Sequence, residues 1–244
     1  TMRDRLILLP GWGLGISPLE PLAAALRWLD EHLRVEIEPL PLLESAHLDE
    51  WLDELDSTVP DNVWLGGWSL GGMLASELAA RRADRCCGLV TLASNPSFVS
   101  RPDWPAAMPS ETFTAFVDGF QDAPNTTLKR FSLLCTQGAV DPRPLAQLLL
   151  SGAPKAHPST LLAGLELLGQ MDTRPALQAF NGPQLHLFAG TDGLVPAEAA
   201  SALLALLPDI EVGLIEQACH AFLLQAPHEL AAAIQVFLHE SGDD

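Results

Sequence analysis

The pentapeptide Gly67-Trp68-Ser69-Leu70-Gly71 constrains this chain more than any other stretch. The apolar run Asn62–Gly66 before it reads as a strand, and Leu70–Arg82 after it reads as a helix. A serine held between a strand and a helix needs a very sharp turn. Side chains on the flanking positions would collide with neighbouring backbone, so glycine is required on both sides. A further glycine, Gly72, follows. Such a turn lifts the hydroxyl clear of the sheet and sets it beside a helix N-terminus.

The rest of the sequence supplies the sheet that this turn needs. Short apolar runs recur at Arg5–Leu9, Val35–Pro39, Gly88–Ala93, Gln184–Ala189 and Glu211–Glu216, each bounded by turn residues. Runs without strict alternation suit strands buried on both faces of a parallel sheet. Helical patterns separate them at Pro18–Leu33, Leu48–Asp56, Leu70–Arg82, Pro196–Leu206 and His228–His239. In the last, Leu230, Ala233, Ile234 and Phe237 form one apolar face. Strand–helix alternation predicts an α/β fold with about six parallel strands and no leading hairpin. Between Ser94 and Gly182 the rhythm stops, and only Pro-punctuated helical segments appear, at Ser110–Asp122, Thr126–Gln137, Pro142–Ser151 and Ser159–Gln170. That block is too long for a crossover and reads as a helical cap between the fourth and fifth strands. The expected division is a core of 1–93 and 183–244 with a cap of 94–182, in one folding unit. The acidic tail Glu240–Asp244 is expected to fray.

Composition narrows the function. Thirteen Lys and Arg against 31 Asp and Glu give a net charge of −18, which repels phosphate backbones and argues against nucleic-acid binding. No apolar run approaches the ~18–20 residues that cross a bilayer. The apolar stretch Leu6–Leu9 is too short for a signal-peptide core, so a cytoplasmic protein is expected. Cys86, Cys87, Cys135 and Cys219 show no zinc-ligand spacing and read as reduced thiols; neither a metal nor a cofactor is expected.

A serine hydroxyl is a weak nucleophile at neutral pH, so Ser69 needs a base and an acid that orients it. Of seven histidines, only His220 stands on the short loop between the last predicted strand and the last helix. His32 and His47 precede the turn, His157 sits in the cap, His186 lies inside a strand, and His228 and His239 belong to the last helix. Asp192, directly after the strand Gln184–Ala189, is the candidate acid; a helix-capping role is the alternative. The loop after Gly88–Ala93 offers Ser94-Asn95-Pro96 and no carboxylate. An oxyanion would be met by the backbone N–H of Leu70 and by that of Trp12, in Pro10-Gly11-Trp12-Gly13. The indoles of Trp12 and Trp68 then wall an apolar acyl pocket, with ordinary core packing as the alternative reading.

With these residues in place, the chain resembles the α/β-hydrolase superfamily over essentially its whole length. Leu9-Pro10-Gly11-Trp12-Gly13, Gly67-Trp68-Ser69-Leu70-Gly71-Gly72, Asp192-Gly193-Leu194-Val195-Pro196 and Cys219-His220-Ala221 are similar to the pimeloyl-[acyl-carrier-protein] methyl ester carboxylesterases of biotin synthesis. Pro10 departs from that family, which usually has His there, and Phe222 stands where relatives often carry Pro. The resemblance fits a Ser69–Asp192–His220 triad and implies hydrolysis of a carrier-bound methyl ester with an acyl carrier protein as partner; a monomer is expected. One charge pattern bears on that partner. Both lysines lie in the cap, and Lys129, Arg130, Arg143 and Lys155 face only Asp141 between 125 and 160, a net of +3 on a remainder of −21. Acidic carrier proteins would be steered by such a patch; solubilising exposed helices is the plain alternative. A small-molecule esterase or lactonase, and a non-catalytic binding protein on the same fold, remain open at this stage.

Overall fold

The computed structural model describes residues 4–242. A single six-stranded sheet holds β1 (Arg5–Leu9), β2 (Arg34–Ile37), β3 (Val63–Trp68), β4 (Cys86–Leu92), β5 (Gln184–Ala189) and β6 (Glu211–Ile215). Their order is β2-β1-β3-β4-β5-β6, and every neighbouring pair is parallel. Burial follows position. β3 and β5 are buried at every residue, whereas the edge strands β2 and β6 each begin on an exposed residue. Continuous apolar runs in the sequence are therefore the interior of a sheet covered on both faces.

Helices α1 (Glu20–Leu29) and α11 (Pro227–Gly242) pack against each other. Helix α3 (Leu70–Arg82) lies across β1, β3 and β4, with α2 (Leu48–Thr58) beside it. Helix α9 (Glu198–Leu206) covers β5 and β6. The cap comprises α4 (Ser110–Asp122), α5 (Pro124–Thr136), α6 (Pro142–Ser151), α7 (Pro158–Gln170) and α8 (Arg174–Ala179), all between β4 and β5. Its only β-type pairing among the described residues is isolated bridges, such as Ser97 with Asp172. The two stems of the cap are tied together. Thr173 N–H donates to Pro96 C=O at 2.8 Å, and Arg174 reaches both Asp172 and Asp103 while lying over the Trp104 ring.

One expectation needs correction. The helix expected over Pro18–Leu33 is a 3₁₀ turn, Ser17–Leu19, and then α1, which stops at Leu29. Asp30 turns extended and its carboxylate accepts from His32 N–H, which delivers buried Leu33 to the start of β2. Of the acidic tail, α11 takes in Glu240 to Gly242, and Asp243-Asp244 lie outside the described residues, as do Thr1, Met2 and Arg3. Two short helices, α8 and α10 (Phe222–Gln225), escape a periodicity reading because neither offers two full turns. Among the described residues, no helix is long and apolar enough to cross a membrane, and no cluster of His, Cys, Asp and Glu could hold a metal ion.

A buried polar chain fastens the cap's last helix to the sheet. Gln184 Nε2 donates to the carbonyls of Leu177 and Phe180, so its Oε1 accepts from His186 Nε2 at 2.9 Å. His186 Nδ1 then accepts from the Thr91 hydroxyl at 2.6 Å. Burial lowers the His186 pKa to about 3. Below an unfolded value of about 6.5 the unfolded chain binds a proton that the native chain refuses, so stability falls as pH falls. The expected slope is up to about 1.4 kcal/mol per pH unit. Urea midpoints measured down to about pH 5, above the main carboxylate range, should show it in the parent and lose it in His186→Asn.

Candidate active site

The turn at the end of β3 is built as its glycines require. Ser69 has φ +55° and ψ −118°, a conformation that side chains rarely adopt. A Cβ on Gly67 would lie 2.3 Å from the Gly71 carbonyl carbon, and one on Gly71 would lie 2.2 Å from Leu9 O and 2.5 Å from Pro10 O. The elbow thus sits directly against the end of β1. Ser69 N–H donates to Leu92 C=O on β4, and the N–H groups of Gly72 and Met73 close back on Ser69 C=O. Ser94, absent from the sequence reading as a site residue, braces the same carbonyl through its buried hydroxyl at 2.9 Å. Its place at the end of the strand next to β3 was the available signal.

Asp192 is not a helix cap, since α9 starts only at Glu198 with Ala197 as its N-cap; its carboxylate binds its own loop and His220 instead. Its Oδ1 accepts from the N–H groups of Leu194 and Val195 at 2.8 and 2.9 Å, which fixes the loop. Its Oδ2 lies 2.7 Å from His220 Nδ1, with both side chains 1% exposed. A carboxylate partner assigns the proton to Nδ1 and leaves Nε2 with a free lone pair. Among the described residues, His220 Nε2 is the one buried side-chain nitrogen or oxygen with no hydrogen-bond partner. Buried polar atoms are rarely left so. The remaining histidines sit apart: His32, His47, His157, His228 and His239 are exposed, and His186 is committed to Thr91 and Gln184.

The loop bearing His220 is pinned residue by residue. Thr191 donates to Ala218 C=O through both its N–H and its hydroxyl. Cys219 N–H donates to Gln225 Oε1 at 2.9 Å, and Ala221 N–H donates to Cys135 C=O on α5 at 3.0 Å. His220 C=O accepts from the Trp68 indole at 3.0 Å. That last bond joins the loop to the residue before Ser69. Thr191 and Gln225 left no trace in the sequence pattern, since their bonds are purely tertiary. The cysteines nearby are free and poor nucleophiles; burial pushes Cys219 up to about 11 and raises Cys135 well above the usual thiol range.

The two tryptophans part company. Trp12 is buried, donates its indole N–H to Leu161 C=O on α7 at 2.7 Å, and meets Phe116, Phe120 and Phe131 edge-on. It also lines an apolar cavity of about 200 Å³, together with Gly11, Gly13, Leu40 and Trp51 and, from the cap, Leu161 and Gly164. Trp68 lines none of the described cavities, and its side chain is committed to His220. Leu70 opens α3, so its N–H belongs to the helix's first turn. Lys129 and Arg130 on α5, Arg143 on α6 and Lys155 on the α6–α7 loop are all exposed.

Comparison with known proteins gives the family. The sequence profile of the alpha/beta hydrolase fold matches residues 44–227. The pimeloyl-[acyl-carrier protein] methyl ester esterase of Aromatoleum aromaticum is 34% identical, over 96% of this chain and 97% of that protein. The chain belongs to the α/β-hydrolase family, in the branch of these esterases. The biotin biosynthesis bifunctional protein BioHC of Cellvibrio japonicus is 35% identical over 96% of this chain, which spans 47% of that longer protein. A bromoperoxidase from Bacillus anthracis shares the fold, with a TM-score of 0.83 at 21% identity over 96% of this chain and 91% of its own.

The elbow's tolerance is directly testable. Gly71→Ala forces a Cβ into two backbone carbonyl oxygens that no rotamer change relieves. It should cost at least about 3 kcal/mol, the upper range for overpacking, read as a lowered midpoint in urea denaturation. The same substitution at exposed Gly242, where nothing lies within 4 Å, should leave the midpoint within about 0.5 kcal/mol of the parent.

Proposed function

We propose that this chain is a serine carboxylesterase that hydrolyses the methyl ester of a pimeloyl chain held on acyl carrier protein. The observation that carries the chemistry is the buried, unpartnered Nε2 of His220, on a ring whose other nitrogen is held by Asp192. Ser69 Oγ attacks the ester carbonyl while His220 Nε2 takes its proton. Negative charge gathers on the carbonyl oxygen and is met by the N–H groups of Leu70 and Trp12. His220 returns the proton to the departing methoxide, methanol leaves, and an acyl-Ser69 ester remains. Water, deprotonated by the same nitrogen, releases the carboxylate and restores the serine. Ser69→Ala and His220→Ala should each lower kcat roughly 10⁶-fold, because triad members act as a unit. Asp192→Asn should cost on the order of 10⁴-fold by presenting the wrong tautomer. Parent-like turnover in the Asp192 variant would assign the acid elsewhere.

The choice of substrate rests on the relatives named as esterases of this ester and on two features of the chain. The cavity beside Trp12 is apolar apart from Thr160, which suits a methylene chain. The cap cations are the second feature. Arg5, Arg34, Arg81, Arg82, Arg85, Arg101 and Arg174 each have a carboxylate within 4.0 Å. Among the described residues Arg27, which donates to Val35 C=O, and the exposed Lys129, Arg130, Arg143 and Lys155 have none, so the four cap cations are open to an acidic partner. The reading takes 1–93 with 183–244 as the core, 94–182 as its cap, and a cytoplasmic monomer as the working form. Exposed pairs contribute ~0.2–1 kcal/mol each, or roughly 1–4 kcal/mol for the set. Reversing all four to Glu should raise KM for the carrier-bound ester by about 5-fold to nearly 1,000-fold and leave kcat nearly intact. A short free ester should be unaffected, and salt should imitate the variant on the carrier substrate alone. Equal handling of both substrates by parent and variant would favour a small-ester hydrolase with no carrier partner.

A further inference from the structure

We propose that the Trp68 indole is a positioning group for catalysis, holding His220 by its backbone carbonyl so that the imidazole keeps Nδ1 on Asp192 and Nε2 free for the Ser69 proton. The inference rests on the catalytic reading of Ser69 and His220. Of the four groups that pin Ala218 through Ala221, Trp68 alone comes from the residue next to the nucleophile. It also touches the base's own ring, with centroids 5.5 Å apart and planes tilted by 36°. The oxyanion loop leans on the same indole, since a Cβ on Gly11 would stand 3.2 Å from Trp68 Cε3. One side chain therefore spaces the nucleophile, the base and the loop that carries Trp12 N–H.

Core packing alone does not account for this choice of residue. Trp68 is 1% exposed, and an indole N–H placed in a dry interior must find a fixed acceptor. A phenylalanine would fill much of the same space without that demand. The acceptor is the carbonyl of the residue whose side chain is the base, so losing the bond frees that peptide plane to tilt and swing Nε2. A displacement of about 1 Å at a reacting centre costs on the order of 100-fold, whereas one lost hydrogen bond is worth about 10-fold.

The test is Trp68→Phe, which keeps an aromatic ring and removes the donor. With p-nitrophenyl acetate, kcat should fall about 10- to 100-fold while KM stays within about twofold. The rate at which a fluorophosphonate labels Ser69 should fall in parallel. In an Asp192→Asn background, where the imidazole is already misoriented, the same substitution should cost far less, as expected for coupled positions. An unchanged kcat, or an equal loss in both backgrounds, overturns the inference. If Trp68→Phe fails to fold, Trp68→His and Trp68→Leu decide it. The donor-bearing histidine should be clearly the more active, and equal activity overturns the proposal. A parent that does not label at Ser69 overturns the catalytic reading and this inference together. A labelled parent with an indifferent variant overturns only the role of Trp68.

Discussion

The fold turns on the close approach of two backbones at the C-terminal edge of the sheet. β1 and β3 are parallel neighbours, and the turn after β3 comes so near the end of β1 that no side chain fits on Gly71. That contact forces Ser69 into its unusual conformation and starts α3 immediately after it. It also brings the two loops that can offer N–H groups to one oxygen, those at Trp12 and Leu70, to the same edge. The strain is supported by the Leu92 and Ser94 bonds to the Ser69 backbone, so the geometry is over-determined.

Everything else at the site is arranged around that edge by loops that follow β5 and β6. Asp192 divides its carboxylate between its own loop and His220, so the loop's own bonds fix the carboxylate that meets the imidazole. The cap is not a passive cover. Its α5 contributes the Cys135 carbonyl that holds Ala221, and Gly138, at φ +94°, lets the chain pass close to Thr191. The helix that bears Lys129 and Arg130 on its outer surface therefore ends against the loops that carry Asp192 and His220. Trp12 makes the reciprocal connection, leaving the core to bond Leu161 inside the cap.

The candidate residues for chemistry were legible because each lies in a short local pattern. Gly67 to Gly71 is readable as a turn from its glycines together with the strand before and the helix after, and Asp192 and His220 stand on the loops that follow the last two predicted strands. Strands β1 and β5 and helices α3, α4 and α6 have the ends the periodicity predicts. The break at Asp30 was invisible because it depends on where β2 must begin rather than on a helix-stopping residue. The supporting partners were equally hidden. Ser94, Thr191, Gln225 and the Trp68 indole act through bonds between segments that only the folded chain brings together. Trp68 shows the limit best: its sequence position left open a pocket wall or core packing, and gave no sign that its indole nitrogen would donate to His220 C=O.

The central claim, that a methyl ester on a carrier-bound chain is the bond cleaved, is tested most directly by intact-mass measurement of the carrier protein. Pimeloyl methyl ester on acyl carrier protein should be converted to a species in which the terminal ester has become a free acid. The thioester should persist, methanol should appear in equal amount, and the Ser69→Ala protein should produce neither. Release of the whole acyl chain from the carrier, or an unaltered carrier in a preparation that turns over short free esters, would contradict the account.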